Sequence, residues 1–271
     1  MEGTPLVDGD RMNCPRIAAS LLTLLALPLP ALAQDPAAEP TLIGIGVRSR
    51  PAYDGAGDQR AEAVPVLRYY GPLLFARSTR GPLEAGVHFG VATGLNAGLQ
   101  LAYEPGRKAV ESDLLNRYNI PDVNVGASYG AHLEWNGKLG PSPINVILRG
   151  RKHSKSERGT QADLRLTAGI FQAGPFSAGL VGQATWSDSK STASFYGVSA
   201  QQAAASGIFA YAPGSGWLAS SIALIWSFDL APQWVVVGNL EGRRLQGDAA
   251  RSPLTERRSN YYATVGLAYR F

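Results

Sequence analysis

The sequence predicts an all-β protein: a single transmembrane antiparallel β-barrel of about 12 strands, exported behind a cleaved signal peptide. Two observations predict the barrel and a third predicts the export. Apolar and polar residues alternate along one segment after another, giving each strand one face for lipid and one for water. The connections between these segments alternate between short and long. The N-terminal stretch carries a brief apolar core followed by a small-x-small site.

Residues 1–11 read as an upstream extension, with Met12 as the start. Arg16 supplies positive charge, residues 17–29 form the apolar core, and Ala31 and Ala33 are the small residues of the cleavage site before Gln34. A membrane helix needs about 20 apolar residues, and this run is broken by Pro28 and Pro30. The expected organisation is therefore extension and signal peptide over 1–33, a short polar leader over 34–40, and the barrel over 41–271. Cys14, the single cysteine, precedes the apolar core, so no disulfide is expected in the mature chain.

The final segment, 260–271, shows the alternation most clearly. Tyr261, Ala263, Val265, Leu267, Tyr269 and Phe271 share one face; Asn260, Tyr262, Thr264, Gly266, Ala268 and Arg270 share the other. Phe271, Tyr269 and Leu267 are read as a C-terminal outer-membrane insertion signal for the barrel-assembly machinery. Segments 95–103, 123–136, 162–171, 176–187 and 218–230 repeat the pattern, and 144–151 and 234–245 complete the C-terminal set. The N-terminal third is less regular, with candidate strands at 42–50, 64–70, 73–80 and 83–92. An even number places both termini in the periplasm. Tight Gly/Pro sites at Gly71-Pro72, Thr93-Gly94, 140–143, 173–175 and Ala231-Pro232 then fall on the periplasmic side. The longer stretches 51–63, 104–122, 152–161, 188–216 and 246–259 fall outside, as expected. Gly81-Pro82 breaks the rule, being short yet external. Residues 199–206 (SAQQAAAS) predict a helical turn within their loop.

Aromatic residues cluster near strand ends on the apolar face: Trp135, Phe176, Trp186, Trp226, Phe228, Trp234, Tyr261, Tyr269 and Phe271. Rings of this kind favour the lipid–water boundary. Mean hydropathy is −0.06, because half of each barrel strand is polar or small. The formal charge is +4; its excess is scattered and carries no nucleic-acid motif, so nucleic acid is excluded as a partner. No metal-ligand cluster or phosphate loop is present, and no cofactor is expected.

Several loop motifs, in order and spacing, resemble the MipA/OmpV family of outer-membrane proteins. They are Tyr53-Asp54-Gly55-Ala56-Gly57-Asp58, Val64-Pro65-Val66-Leu67-Arg68-Tyr69, Gly106-Arg107 with Glu111-Ser112-Asp113, and Phe195-Tyr196-Gly197-Val198-Ser199 with Tyr211. The most specific is Arg244-Leu245-Gln246-Gly247-Asp248-Ala249-Ala250-Arg251-Ser252-Pro253, ahead of Tyr269-Arg270-Phe271. The resemblance spans 41–271. It implies a non-enzymatic outer-membrane barrel of a Gram-negative cell, of MltA-interacting protein type. For the founding member it implies a scaffold linking a lytic transglycosylase to a peptidoglycan synthase; other members resemble surface antigens or adhesins. It carries over no catalytic residues.

Two alternatives remain in the residues. A small passive channel would be lined by the inward set Arg149, Arg151, Asp163, Arg165, Glu241, Arg243 and Arg270. A lipid hydrolase would need Ser128, His132 and Glu134, which share one strand face, but Ser128 and His132 lie about 13 Å apart along a strand, too far for a nucleophile and its base. No histidine is followed two residues later by serine, the pairing expected of outer-membrane phospholipases. Finally, Arg151, Lys152, Lys155, Arg158, Arg257 and Arg258 at the outer rim are read as contacts for lipopolysaccharide phosphates.

Overall fold

The computed structural model describes residues 40–79 and 81–271. The signal peptide, its cleavage residues Ala31 and Ala33, leader residues 34–39, Cys14 and Arg80 lie outside the described residues. The described residues form twelve strands: β1 (Leu42–Pro51), β2 (Gln59–Tyr70), β3 (Leu74–Arg77), β4 (Glu84–Ala92), β5 (Leu95–Glu104), β6 (Gly126–Leu139), β7 (Ser142–His153), β8 (Thr160–Ala173), β9 (Phe176–Ser187), β10 (Gly216–Ala231), β11 (Trp234–Leu245) and β12 (Ser259–Arg270). Each pairs antiparallel with its sequence neighbours, and β1 pairs with β12 to close the barrel.

Closure depends on small residues. In the β1–β12 register Gly44 faces Ala268 and Gly46 faces Gly266. A Cβ on Gly44 would collide with the Leu267 carbonyl oxygen, so only glycine allows the two strands to approach here.

The alternation places apolar side chains outside. Ile45 and Leu101 are each 66 % exposed, and Val47, Leu99, Leu164, Ile222, Val265 and Leu267 join them in an apolar belt. So large an exposed apolar surface has no place in water; with the ladders closed, it identifies a membrane-spanning wall. Aromatic rings border the belt. Tyr103, Tyr129, Trp186, Trp217 and Tyr261 stand towards its outer end, and Trp135, Phe171, Trp234 and Phe271 towards the periplasmic end. Tyr269 packs between Trp234 and Phe271, with ring centroids 5.3 and 4.9 Å away.

The periplasmic turns are short (71–73, 93–94, 140–141, 174–175 and 232–233) and the external connections mostly long (52–58, 78–83, 105–125, 154–159, 188–215 and 246–258). Gly94 and Gly174 take positive φ of 72° and 54°, the conformation tight hairpins require. The external loops carry α1 (Asp113–Arg117), α2 (Ser189–Tyr196) and α3 (Ala200–Ser206). The helical turn predicted over 199–206 is α3; the Ser199 side chain and Gln202 form a reciprocal capping box at its start.

Two strand starts differ from the sequence reading by three residues or more, and the others by two or fewer. β2 begins at Gln59 rather than 64, because Ala61 and Ala63 are small outward residues that leave the alternation faint. β6 begins at Gly126 rather than 123, because Val123 pairs instead with Arg107 in an isolated bridge within the long loop.

Candidate functional site

One side of the lumen is filled by charge. Inward residues of β3 to β8 form an alternating chain of four carboxylates and three guanidiniums. Glu104 pairs with Arg151 at 2.8 Å, Arg151 with Asp163 at 3.5 Å, and Asp163 with Arg149 at 2.8 Å. Arg149 continues to Glu84 at 3.2 Å, Glu84 to Arg77 at 2.7 Å, and Arg77 to Glu134 at 2.6 Å. Asn145 donates to Glu134 at 2.9 Å and Ser128 to Glu104 at 2.6 Å. The side chains of Arg149, Glu84, Glu134 and Asp163 are completely buried. Burying so many ions is tolerable only when each is paired, and the strand register supplies the pairing. His132 stands beside this chain, edge-on to Phe75 with centroids 5.2 Å apart, and its ring sits over Gly98.

Above the barrel, four external loops pack into a small hydrophobic core of Ala52, Tyr53, Ala56, Leu115, Ile120, Val198 and Leu254. Tyr53 donates to the Leu254 carbonyl at 2.6 Å, Tyr196 to the Asp54 carbonyl at 3.0 Å, and Ser252 to the Tyr196 carbonyl at 2.7 Å. Arg107 donates to the carbonyls of Phe195 and Pro121. This roof is tied to the wall through Asp54. Its carboxylate accepts from Arg243 at 2.9 Å and from the Tyr262 hydroxyl, while Arg243 also binds Glu241 at 2.9 Å. Burial pushes the Tyr53 phenol up to about 12, outweighing the opposing charge of Arg107. Burial likewise raises Tyr196 well above the ordinary tyrosine value. On the loop surface, the backbone N–H of Gly214 holds the Asp248 carboxyl below its usual range, with Arg251 adding to the effect.

Beneath the roof and alongside the charge chain lies a cavity of about 1500 Å³. Its walls include Arg48, Glu62, Arg165, Gln183, Glu241 and Arg243, and it extends to Ser177 and Ser227 near the periplasmic rim. Close by, Leu42, Val66, Val235 and Ala268 form an apolar cluster inside the rim.

The inward set named from sequence is inside: Arg149, Arg151, Asp163 and Arg165 are buried, and Glu241, Arg243 and Arg270 are half-buried. Two of the predicted lipopolysaccharide contacts are corrected. Arg151 points into the lumen, to Glu104, because its strand parity is inward. Arg158 is buried beneath the loops, donating to the carbonyls of Asn124 at 2.9 Å and Pro105 at 3.2 Å. Lys152, Lys155, Arg257 and Arg258 are exposed. Ser128, His132 and Glu134 do not form a triad: Ser128 binds Glu104, Glu134 binds Arg77, and among the described residues neither His132 ring nitrogen has a hydrogen-bond partner. The sequence reading gave no lumenal role to Arg77, Glu84 or Glu104, and it named Asp54 only as part of a loop motif. The signal for the first two was a charge at inward parity in short, otherwise apolar strands.

The motifs that carried the family resemblance converge on the roof, since Tyr53, Ala56 and Val198 lie in its core and Arg107, Tyr196 and Ser252 in its hydrogen bonds. A family model described as MltA-interacting protein MipA matches residues 43–271. No curated protein matches the chain. Among solved structures, the chain is similar to LpxR from Salmonella typhimurium at 9 % identity, covering 84 % of this chain and 100 % of that one, with a TM-score of 0.47. It is also similar to an outer membrane channel from Pseudomonas putida F1, at 10 % identity, 86 % and 96 % coverage and a TM-score of 0.44. A third likeness is to an anion-selective porin from Comamonas acidovorans, at 13 % identity, 86 % and 99 % coverage and a TM-score of 0.35. Likenesses this remote carry no argument about activity.

Proposed function

We propose, on the premise that this chain belongs to the MltA-interacting protein MipA family, that it is a non-enzymatic scaffold docking a lytic transglycosylase, and with it a peptidoglycan synthase, at the outer membrane. The observation that carries this reading is the family match across the whole barrel, 43–271. The geometry is compatible with a fixed platform. The charge chain stiffens one side of the lumen, the loops cap the outer mouth, and both ends of the barrel domain lie at the periplasmic rim, where murein enzymes work. Signal-peptide cleavage after Ala33 delivers the chain to the barrel-assembly machinery, with Phe271, Tyr269 and Leu267 as its insertion signal. The exposed Lys152, Lys155, Arg257 and Arg258 contact lipopolysaccharide phosphates. The test is binding of the detergent-solubilised barrel to an immobilised MltA-type lytic transglycosylase, with a detergent-solubilised unrelated porin as control. Retention no greater than the porin's refutes the scaffold.

The cavity favours a second reading, a small channel. It requires the roof to part, and planar-bilayer recording decides it: stable unitary openings support the channel.

A further inference from the structure

The lipid-facing side of the wall is almost free of charge. Among the described residues, the outward positions of β1 to β12 carry two charges, Lys152 on β7 and Arg244 on β11. Both are cations, and both lie at the external ends of their strands. A wall cation is costly at the membrane midplane and cheap at the interface, so these are the depths at which one can stand. Arg244 is exposed, and among the described residues its guanidinium has no hydrogen-bond or ion-pair partner.

The register sets Arg244 between two hydroxyls. Ser220 is its neighbour on β10 and Ser259 its neighbour on β12, both outward and exposed. The Ser220 hydroxyl accepts from the Gln246 amide at 3.0 Å, which leaves its own proton to donate. A guanidinium flanked by hydroxyl donors is a donor set suited to a phosphate. Lys152 stands in a similar setting, between Tyr129 on β6 and Thr160 on β8.

Below Arg244 the wall recedes. The next outward residue on its strand is Gly242, whose outward neighbours are Ile222 and Tyr261. A hollow of about 550 Å³ opens there, bordered by Leu180, Ile222, Leu240, Gly242, Tyr261 and Ala263, all of them outward. Tyr261 belongs to the outer aromatic ring, so the hollow begins at the lipid–water boundary and runs down into the apolar belt. Polar donors above that boundary and an apolar recess beneath it match the head and tail of one amphiphile.

We propose that Arg244, Ser220 and Ser259 bind the phosphate of a lipopolysaccharide molecule, with one of its acyl chains in the hollow beneath. The site rests on the reading that the external rim meets lipopolysaccharide phosphates, and it is independent of any transglycosylase partner. Lipopolysaccharide is the occupant because the external strand ends face the outer leaflet.

The test titrates the detergent-solubilised barrel with lipid A and follows the first bound copy by native mass spectrometry. A Lys152→Gln background removes the other wall cation, and the heat-dependent gel shift verifies that each variant is folded. Dephosphorylated lipid A and phosphatidylglycerol are the comparison probes; lipid A should bind more tightly than either. Arg244→Gln should weaken lipid A about fivefold, the share of one cation at a membrane surface, and leave the dephosphorylated form unchanged. Gly242→Leu, whose new side chain meets only the Tyr261 ring at ordinary contact distance, should fill the hollow and weaken both forms equally. Lipid A affinity unmoved by either substitution overturns the site. If Arg257→Gln with Arg258→Gln abolishes binding while Arg244→Gln does not, the loop contacts stand and the wall site falls. Lipid A held no more tightly than its dephosphorylated form overturns both, and equal affinity for phosphatidylglycerol overturns the assigned ligand.

Discussion

Replacing Arg149 by methionine tests whether the lumenal charge chain holds the barrel together. Arg149 is fully buried between Glu84 and Asp163. Methionine keeps much of its length and removes its charge, leaving four carboxylates facing two guanidiniums. Glu84 retains Arg77 at 2.7 Å, but among the described residues Asp163 keeps only Arg151, at 3.5 Å. Removing one partner from a buried ion pair costs about 3–5 kcal/mol, or two to three and a half decades in the folding equilibrium at roughly 1.4 kcal/mol per decade. Urea titration of the refolded barrel, followed by tryptophan emission and by the heat-dependent shift on gels, measures the loss. Arg149→Met with Asp163→Asn should recover more than half of it, since the orphaned charge is then gone. Lys108→Ala, at an exposed pair with Asp122, should change nothing measurable. A single-variant loss below about 1 kcal/mol, the range of exposed pairs, would refute the reasoning and indicate a hydrated, weakly coupled interior.

Gly98→Val places a side chain where the His132 ring now lies; overpacking of this kind costs about 1–3 kcal/mol, and the same titration detects it. Asp54→Ala removes the acceptor joining roof to wall, and limited proteolysis of intact vesicles should then cut the external loops faster; unchanged cleavage would dissociate Asp54 from roof order. The roof should also loosen in alkali. The Tyr53 phenol is raised to about 12 in the fold against about 10 unfolded, so its contribution is complete below pH 10 and is lost as pH rises through 12. Tyrosinate absorbance should therefore rise together with loop proteolysis over that window. Leu267→Cys and Leu224→Cys, on the lipid face, should resist a water-borne maleimide in vesicles, and free labelling would contradict the membrane-spanning wall.

Strand number, topology and inward parity were legible because lipid outside and water inside impose a period of two on every stave. The legibility ended where that contrast weakens. On β2 the outward residues Ala61 and Ala63 are nearly neutral, so its outer half read as loop. α2 was missed because Ser189–Tyr196 is polar and its buried side follows from other loops, not from its own pattern. The correction to Arg151 has a different origin: it was grouped with its basic neighbours along the chain, when parity alone placed it inside. Arg77 with Glu84 and Arg149 with Asp163 face each other on adjacent strands and follow from register, but the pairing of Arg77 with Glu134 could not be read, since it joins residues 57 apart across the curvature of the wall.

The glycine-lined junction of β1 with β12 has a consequence for biogenesis. The hydrogen bonds that complete the ring join β1 to β12, so the cylinder cannot shut until β12 is in place. Until then both staves carry raw edges, and a one-residue mispairing would turn every wall residue inside out. Bare glycine backbones reward only the register in which Gly44 and Gly46 meet their partners. The join works as a keyed clasp, and a nascent chain lacking either end should persist as an unsealed, chaperone-dependent sheet.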